Sequence, residues 1–247
     1  KTNRKIFNFR LLVAADGRFS KTRYQADIKY LFHDYEQKAY VFNISHQEKH
    51  RSIALERFFS TGPMALLPMQ CSNEKKSSVV WTVDSNVSSK LAFKKNFNKE
   101  FGQRYNNFFG KFKIISDIKN YPLNLYSCYD SFNQNVILIG DACQAIHPIA
   151  GQGFNLGLRD AKCLADIVHK YSTLGLQLYN DDFFKMYENK RRIDKNLLIF
   201  STHNLNKLFS GSNNFKAVFR KLGLKIFSKS NFLKRQSMLF AMGLRNN

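Results

Sequence analysis

Residues 136–161, VILIGDACQAIHPIAGQGFNLGLRDA, constrain the fold of this chain more than any other stretch. Val136 to Ile139 form a continuous apolar run of strand length, and Gly140-Asp141 ends it with a carboxylate at the strand's C-terminal edge. In an open α/β sheet that edge is where ligands bind. After Pro148 come Gly151, Gly153 and Gly157, where missing Cβ atoms let the backbone approach a ligand. An apolar-periodic helix follows (Leu156, Leu158, Ala161, Leu164, Ala165, Val168), and its N-terminus suits a negatively charged or electron-rich group. The spacing G-x-G-x-x-x-G, about ten residues past the strand, is not the dinucleotide fingerprint that opens directly from a strand. Taken alone, these glycines fit a plain structural connection as well as a cofactor loop.

The whole string resembles the second flavin-binding motif of the group A flavoprotein aromatic hydroxylases, G-D-A-A-H-x-x-x-P-x-x-G-Q-G-x-N-x-G-x-x-D-A. A second segment, Arg10-LLVAADGRFSKT-Arg23, resembles that family's A-D-G-x-x-S-x-x-R motif. The segments Glu56–Met69 (ERFFSTGPMALLPM), Val79–Thr82 (VVWT) and His147–Asp160 are similar to those of its ubiquinone-biosynthesis branch, and Tyr187–Asp194 (YENKRRID) and Phe240–Gly243 (FAMG) continue the likeness. The resemblance implies FAD as cofactor and NAD(P)H as electron donor. It also implies roles. Asp16, with Gly17 and Arg23 of the same motif, would lie near the flavin pyrophosphate. Gly140 and Asp141 would bind the ribityl chain, and Pro148 would line the flavin's reactive side. The backbone N–H groups of Gly151, Gln152, Gly153, Phe154 and Asn155 would stabilise negative charge on the reduced ring. Oxygen transfer in this family requires no acid–base side chain, so we name no catalytic residue. Gln144 stands where the pattern has His, and Cys143 where it has Ala.

The activity implied is that of an oxidoreductase, a monooxygenase inserting one atom of O2 into the aromatic ring of a polyprenylated ubiquinone precursor. The alternatives are a flavoprotein hydroxylase or oxidase of another aromatic or isoprenoid lipid, and a non-catalytic membrane-associated remnant. The family pattern also has an earlier G-x-G-x-x-G segment that these 247 residues do not contain, so we expect the C-terminal portion of a longer protein.

Four cysteines (Cys71, Cys128, Cys143, Cys163) are scattered without a C-x-x-C pair, and the six histidines have no ligand spacing. The cysteine pattern argues for a reducing compartment and against a disulfide framework or a zinc site, and the histidines likewise offer no metal-ligand set. No apolar run reaches transmembrane length. Charge is strongly biased: 39 Lys+Arg face 18 Asp+Glu, and Lys195–Asn247 carries ten basic residues and no acidic one. Interleaved Phe and Leu there suit cationic amphipathic helices, which solvate a protein face or dock on anionic lipid. No nucleic-acid module is recognisable. The partners expected are therefore a polyprenylated aromatic substrate, O2, a membrane surface and other ubiquinone-biosynthesis proteins, with no nucleic acid. The location expected is cytoplasmic, peripheral at the inner membrane.

The fold class expected is mixed α/β. Residues 1–30 and 133–172 would form an incomplete Rossmann-like FAD-binding domain, 31–132 an inserted, mainly β substrate domain, and 173–247 a helical region. Strands are expected over 38–45, 52–59, 64–69, 78–83 and 111–119, with a helix near 89–105 and Ser20 as a helix N-cap.

Overall fold

The computed structural model describes residues 6–70, 72–90, 94–105, 108–209 and 214–244. The chain runs β1 (Leu12–Ala14), α1 (Lys21–Gln25), β2 (Tyr30–His46), β3 (Leu55–Phe59), β4 (Gly62–Pro68) and β5 (Lys76–Asp84). It continues through α2 (Ser85–Lys90), α3 (Lys94–Tyr105), β6 (Phe112–Ile114), β7 (Lys119–Cys128), β8 (Phe132–Asn133), β9 (Val136–Leu138) and β10 (Gln144–Ala145). Four helices complete it: α4 (Gln152–Thr173), α5 (Asp181–Phe209), α6 (Asn214–Lys229) and α7 (Asn231–Ala241). This is the mixed α/β class expected, with a helical C-terminal part.

Two compact units divide the chain, one of residues 1–33, 124–205 and 223–247, the other of 34–123 and 206–222. In the first, β9 pairs parallel with β1 and antiparallel with β8. Between the parallel neighbours in sequence lies most of the second unit, residues 34–123, rather than a single crossover helix. A core of Ile137, Leu164, Ile167, Tyr171, Phe183, Phe184 and Tyr187 joins β9 to α4 and α5. The helical period places Leu164, Ile167 and Tyr171 on one stripe of α4.

In the second unit β3, β4 and β5 form an antiparallel meander, β2 pairs antiparallel with β5 at its edge, and β6 pairs with β2. Alternation along β2 sends Tyr40, Phe42 and Ile44 to one face, and β5 sends Val79, Trp81 and Val83 to the same face. Phe97, Phe101 and Tyr105, spaced four apart on α3, cover that face. Phe42 and Phe101 meet edge to face with centroids 5.0 Å apart. Each ring so buried contributes about 1.5–3 kcal/mol.

The sequence-based boundaries need three corrections. β2 starts eight residues before the expected Lys38, passing Glu36 at φ 53. The Asp34 carboxylate accepts from the Glu36 N–H there, a local turn inside a strand that breaks the apolar alternation. The strand expected over 111–119 shrinks to β6, and β7 follows unanticipated because its polar first half and Pro122 conceal the pattern. The helix near 89–105 is two helices, α2 and α3, with residues 91–93 outside those described.

Candidate functional site

Parallel pairing of β1 with β9 brings the two sequence motifs to one edge. Ala14 lies opposite Leu138, and the Ile139 N–H donates to the Ala14 carbonyl at 3.0 Å. The strands therefore end side by side, and the chain leaves them as Asp16-Gly17 and Gly140-Asp141. Arg18 Nη2 approaches Asp141 Oδ2 at 3.9 Å, joining the motifs across the edge.

Asp16 faces the start of α1. Its Oδ2 accepts from Thr22 N at 3.2 Å and from Thr22 Oγ1 at 3.0 Å. Burial opposes its charge, but hydrogen bonds from Ser20 and Thr22 prevail and hold the carboxyl below its ordinary value. Ser20 also caps α1, as expected, accepting from Arg23 N at 2.9 Å. Gly17 turns the chain at φ 84.

Arg23 is placed differently from its neighbours in the motif. It is buried, donating from Nη1 to the Ala142 carbonyl and from Nη2 to the Arg18 carbonyl, both at 2.9 Å. Its guanidinium lies 4.4 Å from the Tyr30 ring centroid and 5.2 Å from that of Tyr126. It braces the Gly140–Ala142 turn from beneath, while Asp16 and Asp141 stay at the open edge.

Past Gly140 the chain makes a short 3-10 turn to Ala142, and a second over Ile149–Gly151 leads into α4. Gly140, at φ 58, packs backbone to backbone on Gly157: a Cβ on Gly157 would lie 3.3 Å from the Gly140 Cα. Gly151 is the N-cap of α4 at φ 60, and no side chain caps that end. The first-turn N–H groups of Gln152, Gly153, Phe154 and Asn155 have no intrahelical acceptors, and the helix dipole is positive there. Gly153 and Gly157 lie inside α4, not in a loop before it. The positive φ belongs to Gly151, and the position of a Gly153 Cβ is open space. Phe154 projects outward, 76% exposed, while Gln152 is buried. Pro148 precedes the second turn at φ −69. His147 beside it is buried, its Nδ1 accepting from Ile149 N at 3.3 Å, and burial pushes its pKa down to about 4.

Other residues support this edge without having been assigned a role from sequence. Asp160, 1% exposed, accepts from Gly140 N at 2.9 Å and from the Gln144 side-chain amide. Arg191 Nε donates to its other oxygen at 2.7 Å. Cys128 and Cys143 sit beside each other, the Cys128 N–H donating to the Cys143 carbonyl at 3.0 Å, and both are free thiols, as is Cys163. Cys71 lies outside the described residues. Asp160, Arg191 and Asp194 fall within the quoted motif segments, so the signal was present without an assigned job.

The chain is similar to several known proteins. A ubiquinone hydroxylase, UbiL, of Rhodospirillum rubrum is 36% identical over 236 residues, covering 95% of this chain and 54% of that protein. The 3-demethoxyubiquinol 3-hydroxylase of Escherichia coli is 27% identical over 245 residues, 97% of this chain and 61% of that protein. The chain spans about half the length of the curated relatives it matches. Among solved structures, p-nitrophenol 4-monooxygenase PnpA from Pseudomonas putida superposes with a TM-score of 0.74 at 15% identity, over 95% of this chain and 60% of that one. Residues 2–174 match the family model described as FAD binding domain, and the chain belongs to that family.

Proposed function

We propose that this chain carries the second flavin-binding motif of an FAD-dependent monooxygenase that hydroxylates the aromatic ring of a polyprenylated ubiquinone precursor. The observation that carries this reading is the shared edge. One parallel strand pair presents Asp16 and Gly140-Asp141 beside the uncapped, positive N-terminus of α4. The fit to FAD is chemical as well as spatial. Asp141 offers a carboxylate to ribityl hydroxyls. Gly140 and Gly157 keep the helix close to the turn, and the open space at Gly151 and Gly153 admits a ring against the backbone.

FAD, when bound, supplies the redox chemistry through which electrons from NAD(P)H and oxygen from O2 reach an aromatic ring. The chain's own part is binding and positioning. Asp16 and Gly17 would stand near the pyrophosphate, and Gly140 and Asp141 would hold the ribityl chain. Pro148 would border the reactive side, and the N–H groups from Gln152 to Asn155 would face negative charge on the ring; the Gly151 N–H, expected to join them, instead donates to the Pro148 carbonyl at 2.9 Å. Arg23 would act one step removed, through the turn it braces. The second unit, with its antiparallel sheet, is the natural place for the substrate.

A membrane surface and companion enzymes of ubiquinone synthesis are the partners we assign, because a polyprenylated substrate partitions into lipid. Among the described residues no helix is long and apolar enough to cross a membrane. The test is direct. The complete gene product, supplied with FAD, NAD(P)H and a prenylated phenol, should consume O2 and NAD(P)H in step with hydroxylated product. FAD-bound protein that hydroxylates only soluble phenols would favour the rival reading, a hydroxylase of another aromatic compound.

A further inference from the structure

The Gly140–Asp141 turn is fixed by a chain of buried charges that runs away from the cofactor edge. Asp160 divides its carboxylate: Oδ2 receives Gly140 N and the Gln144 amide, and Oδ1 receives Arg191 Nε from α5. Arg191 Nη1 donates to Asp194 Oδ2 at 2.8 Å, and Asp194 Oδ1 accepts from Arg159 Nη1 at 2.9 Å. Arg159 Nη2 then donates to the Phe240 and Ala241 carbonyls at the end of α7. Gly243, at φ 72, leaves the room this guanidinium needs, since a Cβ there would meet Arg159 Nε at 2.8 Å. The side chains of Asp160, Arg191 and Asp194 are each at most 8% exposed. Three motif segments far apart in sequence thus converge on one alternating row of charges: Asp160, Arg191, Asp194, Arg159.

We propose that Arg191 is a positioning residue for the cofactor edge, acting through Asp160. The guanidinium keeps the Asp160 carboxylate charged and oriented so that its far oxygen holds the Gly140 amide and sets where Asp141 points. Burial holds the Asp160 carboxyl above its ordinary value, and the Arg191 guanidinium, against which Oδ1 is paired at 2.7 Å, is the main influence opposing that rise. Without Arg191 the buried carboxylate loses its counter-charge. It must then protonate or draw in water, and either response changes its grip on Gly140. Asp194 retains Arg159 in that event, so the defect falls on the Gly140 side. The inference rests on the FAD reading of the site.

The experiment measures FAD dissociation constants and FAD-free melting temperatures for the complete gene product and its Arg191→Met, Arg191→Met/Asp160→Asn, Arg191→Lys and Asp141→Ala variants. Arg191→Met should weaken FAD binding about tenfold, the usual size of a coupling between distinct sites. Removing the stranded charge in Arg191→Met/Asp160→Asn should restore most of that loss, and Arg191→Lys should fall between, because an ammonium lacks the fork that reaches both carboxylates. A purely structural Arg191 would lower the FAD-free melting temperature and leave the affinity of the folded protein unchanged. That outcome, with Asp141→Ala still weakened, overturns the inference while the FAD reading stands. Failure of the double variant to recover affinity also overturns it. A wild-type protein that binds no FAD removes the reading and the inference together.

Discussion

Asp141 and His147 stand six residues apart on one connection and are placed by opposite physics. Asp141 is partly exposed at the edge, near Arg18, with acceptor capacity left for a ligand. Replacing it with Ala should remove a charge-assisted hydrogen bond to the ribityl chain. That costs about 1.5–3 kcal/mol, a ten- to hundredfold weaker FAD dissociation constant by fluorescence titration. An unchanged constant would dismiss the proposed role of the turn. His147 is instead sealed, neutral, and an acceptor at Nδ1. The unfolded chain protonates it near 6.5, whereas the folded protein resists until about 4. Its contribution to stability is therefore complete above pH 6.5 and declines as pH falls through that interval, by at most about 3 kcal/mol. Denaturant unfolding of the wild type and His147→Gln should show a stability gap at pH 7 that narrows by about 2 kcal/mol at pH 4.5. A gap independent of pH would place His147 in contact with water. The sequence identified Asp141 through its motif; the burial of His147 depends on packing that no local pattern encodes.

At the scale of elements, strand–turn–helix order was legible because each piece has a local cause. Val136–Leu138 is an unbroken apolar run, Ser20 caps α1 with its own hydroxyl, and the stripe of Leu164, Ile167 and Tyr171 has helical period. Elements determined by distant partners were not legible. β7 keeps its place through partners elsewhere in the chain, among them Ser127 against Gln144, despite a polar start and Pro122. Arg23 matched its motif, yet its burial against Tyr30, Tyr126 and the Ala142 carbonyl follows only from tertiary structure. The start of α4 is a similar case: the glycines announced a loop, but helix geometry takes over at Gln152 and leaves only Gly151 with left-handed φ. This relocation makes a sharp test available at Gly153. Apart from its chain neighbours and the adjacent backbone of α4, no described atom lies within 4 Å of a Cβ built there, and Gly and Val differ by only about 0.5 kcal/mol in helix propensity. Gly153→Val should therefore leave FAD-free unfolding within about 1 kcal/mol of wild type, while FAD affinity falls at least about tenfold. A large loss of FAD-free stability, or full affinity, would contradict a ligand-facing backbone at that position.

Across the whole molecule the formal charge of +21 is the dominant long-range feature, and its C-terminal share is unopposed. Residues from Leu222 to Lys229 of α6 are all exposed, among them Leu222, Leu224, Ile226 and Phe227. None of α7 is buried, and Phe232, Met238, Met242 and Leu244 are exposed there or just beyond. Lys225, Lys229, Lys234 and Arg235 lie among them; the side chains of Lys216, Arg220 and Lys221 fall outside those described. Apolar surface interleaved only with positive charge matches an anionic lipid interface, which supplies both a hydrocarbon boundary and phosphate. A second copy of the same surface would instead oppose like charges. We expect co-sedimentation with vesicles to rise with their anionic lipid fraction and fall with added salt, since screening acts on exposed charges. Changing Lys225, Lys229, Lys234 and Arg235 together to Gln should remove most of that dependence, at about 1 kcal/mol for each basic residue near the surface. Equal sedimentation with neutral and anionic vesicles would mean that the charge only solvates these helices. A prenylated substrate would then have to be handed over by a partner protein, and hydroxylation of vesicle-embedded substrate would depend on adding that partner.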